Sequence, residues 1–359
     1  PNLHASRVLF KNTYVNASSL FDEMGLDWKK YFINNNILME NVKLFWEKFS
    51  MMDYFDFIKN FSKVMTDPEK YKCMTLEEMY GGDANDLIKE LPISIDGVDW
   101  TRMTAWEFFQ SINTTIMSTT QTQRVSGREM GLDMENMLRV VGVVFHFGQV
   151  LKEVHYEKES YQAVFESGRV IGDGYLILAM DPWAAKKVVK NNWGSDAHEK
   201  LSKIEYHCVN IVMKYDGDIP LSNHDTIYEH IRDGHVSCMF FNPPAVPPEK
   251  LVEMTGIKPE YWRLCWGSKW NGVSWEFEQS SGIYSPDPIP FWGECVWVAM
   301  VGTMSPRNTP YASIESAVEV ARCFVHHEFE GPSPKKPLTL TFVLIVFLFI
   351  IIYIYGVQA

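Results

Sequence analysis

Apolar positions repeat at helical spacing in the first third of the chain and at strand spacing beyond it. Val42, Phe45, Phe49, Met52, Phe55 and Phe61 keep a period near that of a helix turn. They predict a long amphipathic segment inside a mostly helical stretch, residues 17–115. Thr104 and Glu107 have the spacing of a capping box ahead of Phe108, Phe109 and Ile112, so a helix starts there. The methionines and aromatics of this stretch are read as core, with a lipophilic tunnel as the alternative.

Residues 116–150 carry a weaker pattern. Residues 118–124 are polar, and residues 137–144 form an apolar helix or strand. From Val150 the pattern becomes that of strands. Residues 151–154 and 163–166 predict strands, and Ser167-Gly168 predicts a hairpin turn into residues 169–171. Residues 174–180 predict a buried strand. Asp181 at N-cap and Pro182 at N1 then open a helix through Lys190. Residues 204–215 and 235–241 predict two more strands, joined by a solvated polar connection. That connection carries His224, Glu229 and His230, whose spacing with His235 suits no standard chelate, and no metal site is expected. Asn271-Gly272 predicts a hairpin, with Val273, Trp275 and Phe277 alternating after it and Leu264, Trp266 and Trp270 on one face.

Residues 294–329 form the unit around which the rest is organised. Residues 294–300 predict a buried strand. Gly302, Ser305, Pro306, Asn308 and Pro310 make the following loop. Ser313 is an N-cap residue, and Ile314, Ala317, Val318, Ala321 and Val325 share one helical face. A helix start aimed at a loop offers free backbone N–H groups and a positive dipole end, which suits a phosphate or a ring oxygen. An ordinary strand-to-helix turn gives the same pattern.

The net charge of −12 argues against a nucleic-acid surface, which needs clustered Lys and Arg. Six dispersed cysteines form no disulfide framework, which fits a reducing compartment. Residues 338–357 are twenty residues without a charge. At about 1.5 Å per residue such a helix spans a hydrocarbon core of about 30 Å. A single-pass C-terminal membrane anchor is expected, with residues 331–337 as its linker. Lys335 and Lys336 flank only its N-terminal side, which leaves the large domain on the cytosolic side. The chain begins at Pro1 rather than Met, so a removed Met or a fragment is expected.

The strand–loop–helix stretch resembles the C-terminal flavin-contacting segment of the FAD-dependent amine oxidase and phytoene desaturase superfamily. Val298-Ala299 stands at the strand end and Ile314-Glu315-Ser316-Ala317-Val318 at the helix start. Met300 replaces the first glycine of that pattern, no acidic residue follows it, and Ser316 replaces the helix glycine. His4 and Arg7 match a Glu-His-Ser-x-Arg stretch of the same superfamily, while Leu3 and Ala5 do not. Residues 174–182 resemble the strand by which its chain returns to the FAD domain. The Gly-x-Gly-x-x-Gly turn that cradles pyrophosphate is absent from this sequence.

The resemblance implies an α/β fold. An incomplete FAD/NAD(P)-binding-type mixed sheet would come from residues 1–15, 148–200 and 285–330. An inserted α+β substrate domain would take residues 16–147 and 201–284, with the transmembrane helix at 338–357. FAD is the implied cofactor, and a lipophilic molecule or an amine the implied small-molecule substrate. Ile314 and Glu315 would lend helix-start contacts to the flavin, Gly302 would admit close backbone approach, and Arg7 would lie near the isoalloxazine or substrate. The resemblance names no general base and leaves the oligomeric state open. The second reading is a cofactor-free, tail-anchored structural or scaffolding protein of the same fold. Met300, Leu3, Ser316 and the missing glycines favour it.

Overall fold

The first third of the chain is helical because its aromatic residues return at turn spacing, but two non-helical residues divide the long segment. Helices α1 (Val15–Glu23), α2 (Trp28–Tyr31), α3 (Leu38–Lys48), α4 (Met51–Thr66), α5 (Pro68–Tyr71), α6 (Leu76–Tyr80), α7 (Asp86–Asp96) and α8 (Ala105–Ser111) follow one another. Phe49 and Ser50 lie between α3 and α4. Ser50 starts α4 with a reciprocal cap. Its Oγ accepts from the Asp53 N–H at 3.3 Å, and the Asp53 carboxylate accepts from the Ser50 N–H at 2.7 Å. The break resets the helical phase. Phe45 and Phe49 stay in the core and are joined there by Phe57, Phe61 and Val64. Met52 and Phe55, expected on the same face, are 68% and 61% exposed. Phe109 meets Phe57 and Phe61 edge to face, at 5.2 and 5.6 Å between centroids. The Thr104 hydroxyl accepts from the Glu107 N–H at 3.2 Å, as its spacing predicts.

The computed structural model describes residues 8–9, 14–36, 38–82, 84–96, 99–111, 119–123, 127–157, 160–172, 174–180, 187–188, 205–206, 208–222, 225–231, 233–265, 267–277, 283–284, 291–292, 296–298 and 314–335. Strands β1 (Val8–Leu9), β2 (Phe32–Asn36) and β3 (Thr119–Gln123) form an antiparallel sheet in the order β1-β3-β2. Polar sequences such as Thr119–Gln123 give no strand signal of their own; here the ladder and the buried Gln121 hold them. Helix α9 (Gly127–Val140) follows and buries none of its residues fully. It settles part of residues 137–144 as helix. The remainder is a turn in which the Val143 N–H reaches the Leu138 carbonyl at 3.0 Å. Gly142 takes the left-handed conformation there, φ 92°.

Strands β4 (Leu151–Glu157), β5 (Ser160–Phe165) and β6 (Val170–Ile171) form an antiparallel sheet; the β5–β6 hairpin is the expected one, with Gly168 at φ 81° in its turn, and the β4–β5 hairpin is added by the structure. Strand β7 (Leu176–Ile177) is shorter than the buried strand its sequence predicts; Leu178 is buried but Ile177 is exposed. Of the helix expected over 181–190, only residues 187–188 lie among the described residues, and they are helical.

Strands β8 (Glu205–Tyr206), β9 (Cys208–Lys214), β10 (Thr226–Ile231), β11 (His235–Phe241) and β12 (Tyr261–Leu264) come next. An antiparallel sheet runs β10-β11-β9-β12. Its core of Val209, Ile211, Met213, Val236, Cys238 and Phe240 is covered by Leu251 and Val252 of α10 (Pro248–Met254). The polar connection expected between the two strands therefore contains a strand, β10. Its mixed Thr-Ile-Tyr-Glu-His-Ile sequence suits an edge that is half exposed. Asp233 and Gly234, both at positive φ, turn it into β11.

Strands β13 (Ser268–Trp270) and β14 (Trp275–Phe277) pair as the Asn271-Gly272 turn predicts. Leu264 instead joins β12 on the edge of the larger sheet, whereas Trp270 lies in the separate β13–β14 pair. Trp266 lies outside the described residues.

Strands β15 (Ile283–Tyr284), β16 (Phe291–Trp292) and β17 (Val296–Val298) precede helix α11 (Ile314–Phe329). Strand β15 pairs with β8. Strand β17 sits between β16 and β7, and β17–β7 is the one parallel pair among the described residues. The architecture is thus mixed α/β. No helix among the described residues is long and apolar enough to cross a membrane. Residues 338–357 lie outside the described residues.

Candidate functional site

Strand β17 and helix α11 are the described parts of the strand–loop–helix unit; β17 pairs in parallel with β7, and α11 is fixed on both sides. On one side Phe324 and Phe329 pack edge to face on Tyr175, next to β7, at 5.4 and 5.5 Å. On the other, Val318 enters a cluster with Tyr14, Ala17, Phe21, Trp28, Tyr31 and Phe32, and Ile314 packs against it. This cluster makes α1 the neighbour of α11.

The polar residues of α11 continue that contact. Glu315 is fully buried in its first turn. Its carboxylate accepts from the Asn16 N–H at 2.9 Å, the Ala17 N–H at 2.7 Å and the Asn16 side-chain amide at 2.8 Å. Helix α1 has no side-chain cap of its own, because Tyr14 stands at its N-cap. Glu315 therefore caps α1 from another helix and meets the positive end of its dipole. Burial pushes the Glu315 carboxyl above the ordinary range, against the opposing pull of the Ala17 and Asn16 donors. One turn on, Glu319 is also buried. At the far end of the contact the Arg322 guanidinium donates to Glu23 at 2.6 Å and holds that carboxyl below its usual range. Asn16 lies beside Glu315, and Glu23 beside Arg322. The two helices therefore run in the same direction with their N-terminal ends together.

After α11 the chain turns back. The Gly331 N–H reaches the Val325 carbonyl at 3.2 Å, and Lys335 arrives at α1. The Lys335 N–H donates to Asn16 Oδ1 at 2.8 Å, and Asn16 Nδ2 donates to the Lys335 carbonyl at 2.8 Å. The Lys335 ammonium donates to Ser19 Oγ at 2.7 Å. Buried Asn16 thus joins α1, α11 and the C-terminal segment. A second polar group holds the same cluster from behind. Trp28 Nε1 donates to Gln121 Oε1 at 2.8 Å, and Gln121 donates in turn to Asn34. The Asp133 carboxylate of α9 accepts from Lys30 and, at 2.7 Å, from the Tyr31 hydroxyl.

Of the residues expected to face a cofactor, the structure brings Ile314 and Glu315 together at the first turn of α11. The Glu315 side chain is taken up by α1, which leaves its backbone for the helix-start role. Arg7 and Gly302 lie outside the described residues. Val8, the residue after Arg7, pairs with Thr122 of β3. Asn16 and Lys335 were not singled out by sequence. Lys335 reads there only as a charge flanking the apolar stretch, and nothing in the pattern signals a buried junction at either residue. His235 is committed to the Tyr261 hydroxyl at 2.7 Å. No group of metal ligands occurs among the described residues.

No protein-family profile and no curated protein matches the chain by sequence. Solved structures do. Cyclohexylamine oxidase from Brevibacterium oxydans IH-35A superposes with a TM-score of 0.55 at 11% identity, over 90% of this chain and 88% of that one. The fold is that of the amine oxidases. Wild-type putrescine oxidase bound to putrescine gives a TM-score of 0.53 at 10% identity, over 89% and 86% of the two chains. A CLA-producing fatty acid isomerase from P. acnes gives 0.59 at 11% identity, over 92% and 89%. Identities this low establish the fold and not the chemistry.

Strands β7 and β17 pair in parallel, and α11 follows β17 in the chain. The pyrophosphate end is not matched. The sequence carries no Gly-x-Gly-x-x-Gly turn, and the first amides of α1 are filled by Glu315.

Proposed function

We propose that the chain belongs to a FAD-dependent oxidoreductase of the amine oxidase and desaturase type, acting on a lipophilic or amine small molecule. Bound FAD would supply the redox chemistry, and the protein would position it and the substrate. The amine-oxidase fold carries this reading. Arg7, Gly302 and the backbone of Ile314 and Glu315 are the proposed flavin-side contacts. The charge-free stretch 338–357 would anchor the protein in a membrane, with the large domain on the cytosolic side. The test is a visible absorption spectrum of the full chain incubated with FAD and then desalted. Retained flavin bands support the reading, and a colourless, folded protein overturns it for this chain.

One observation favours a second reading. Glu315, which the first reading sets toward the flavin, gives its side chain to the first amides of α1, and Met300 and Ser316 replace two glycines of the flavin-contacting pattern. On that reading the chain keeps the fold as a cofactor-free scaffold at the membrane. The colourless outcome would select it.

A further inference from the structure

We infer that the ends of α1 and α11 carrying Asn16 and Glu315 face the bilayer, and that Asn16 fixes where the chain enters it. The inference rests on the reading of residues 338–357 as a membrane anchor. A free linker of seven residues would let the domain take any orientation above the lipid. Residues 331–335 are not free. Lys335 is pinned by its own N–H and carbonyl to the Asn16 side chain and by its ammonium to Ser19. Only Lys336 and Pro337 separate it from Leu338, where the charge-free stretch starts. Three residue steps reach at most about 10 Å. The edge of the hydrocarbon therefore lies within about that distance of Lys335, and so of the shared end of α1 and α11.

Asparagine is the residue type this junction needs. Its side-chain amide offers one acceptor and two donors. The acceptor takes the Lys335 N–H, and the donors serve the Lys335 carbonyl and Glu315. An aspartate would set a second carboxylate against Glu315 and lose both donors. The consequence for function follows from connectivity. The proposed flavin-contacting segment ends at Ile314 and Glu315, on the same face. That segment therefore lies close to the membrane surface.

The test uses the full chain in phosphatidylcholine vesicles that carry a photoactivatable diazirine near the headgroup, with crosslinked peptides mapped by mass spectrometry. Crosslinks are expected on residues 14–20, 314–318 and 331–337, together with the tail. Crosslinks on the tail with none on 14–20 or 314–318 would overturn the inference. Absence of any lipid on 338–357 would instead sink the anchor reading on which it rests. Asn16→Asp should lower crosslinking of 314–318 at least fivefold while leaving the tail unchanged. Lys335→Pro removes the N–H given to Asn16 and the ammonium given to Ser19, and leaves the Glu315 cap intact. It should show the same loss if N16D does not fold. Unchanged crosslinking in K335P would overturn the role of the pin.

Discussion

The Glu315 carboxylate caps α1 by accepting the backbone N–H groups of Asn16 and Ala17 at 2.9 and 2.7 Å. A carboxylate from near the end of the chain thus completes a helix near its start. Removing it leaves two buried N–H groups without an acceptor. Glu315→Ala is expected to cost about 1.5–3 kcal/mol, the range for hydrogen bonds to a charged group. Glu315→Gln, which turns an amide toward one of those donors, should cost about 1–2 kcal/mol. Urea denaturation followed by circular dichroism measures both. A loss below 0.5 kcal/mol in E315A would contradict the cap.

Acid should loosen the contacts that tie α1 and α9 to their neighbours. Hydrogen bonds from Arg322 and from Lys30 hold Glu23 and Asp133 below their ordinary carboxylate ranges. A lowered folded pKa means the unfolded chain binds the proton more readily. The stabilisation is then complete above the unfolded value and is lost as pH falls through the folded one. Glu315, pushed upward by burial, has the opposite sign and favours folding below its raised value. Urea midpoints taken across acid pH should therefore fall, and Asp133→Asn should flatten part of that slope. Equal slopes in D133N and the parent would remove Asp133 from the account.

The phase reset at Ser50 turns Phe55 outward and keeps Phe57 and Phe61 in the core, where Phe109 of α8 meets them. Phe109 is buried against Phe57 and Phe61, so Phe109→Ala should cost about 3–5 kcal/mol. Phe55 points outward, and Phe55→Ser should change stability by less than about 0.5 kcal/mol. Thermal melts of the two variants decide it, and a large loss in F55S would place α4 in the wrong rotation.

The thiols should divide by burial. Cys73 is exposed, whereas Cys208, Cys238 and Cys265 are buried. Burial pushes the Cys238 thiol up to about 12, which leaves almost no thiolate at neutral pH. Iodoacetamide at pH 8 is expected to label Cys73 quickly and Cys208, Cys238 and Cys265 only in urea. Peptide mass spectrometry reads the order, and fast native labelling of Cys238 would mean that the β9–β11 sheet opens readily.

Gly234 turns β10 into β11 at φ 63°, and an added Cβ would run into the side chains of Asp216 and Lys214. Gly234→Ala should cost about 1–2 kcal/mol by strain and crowding together. A neutral result in denaturation would show that the hairpin relaxes without loss.

The sequence by itself determined the features that depend on a few neighbouring residues. The hairpin at Ser167-Gly168, strands β9 and β11 and the Thr104 helix start were legible, because turn chemistry and periodicity act over short distances; the face expected of α11 was not, since Ala321 and Val325 are exposed while Glu315, Glu319 and Arg322 are buried. The charge-free stretch 338–357 is equally plain in the sequence. Tertiary structure decided the rest. Strand β10 is too polar to announce itself and exists because β11 offers it a ladder. Strands β7 and β17 gain their parallel partners only when the chain returns. Asn16 and Glu315 stand 299 residues apart, and neither carries a local sign of the other. Their pairing follows from packing α1 along α11. Once those apolar faces meet, the uncapped amides of α1 need an acceptor, and the buried carboxylate needs donors.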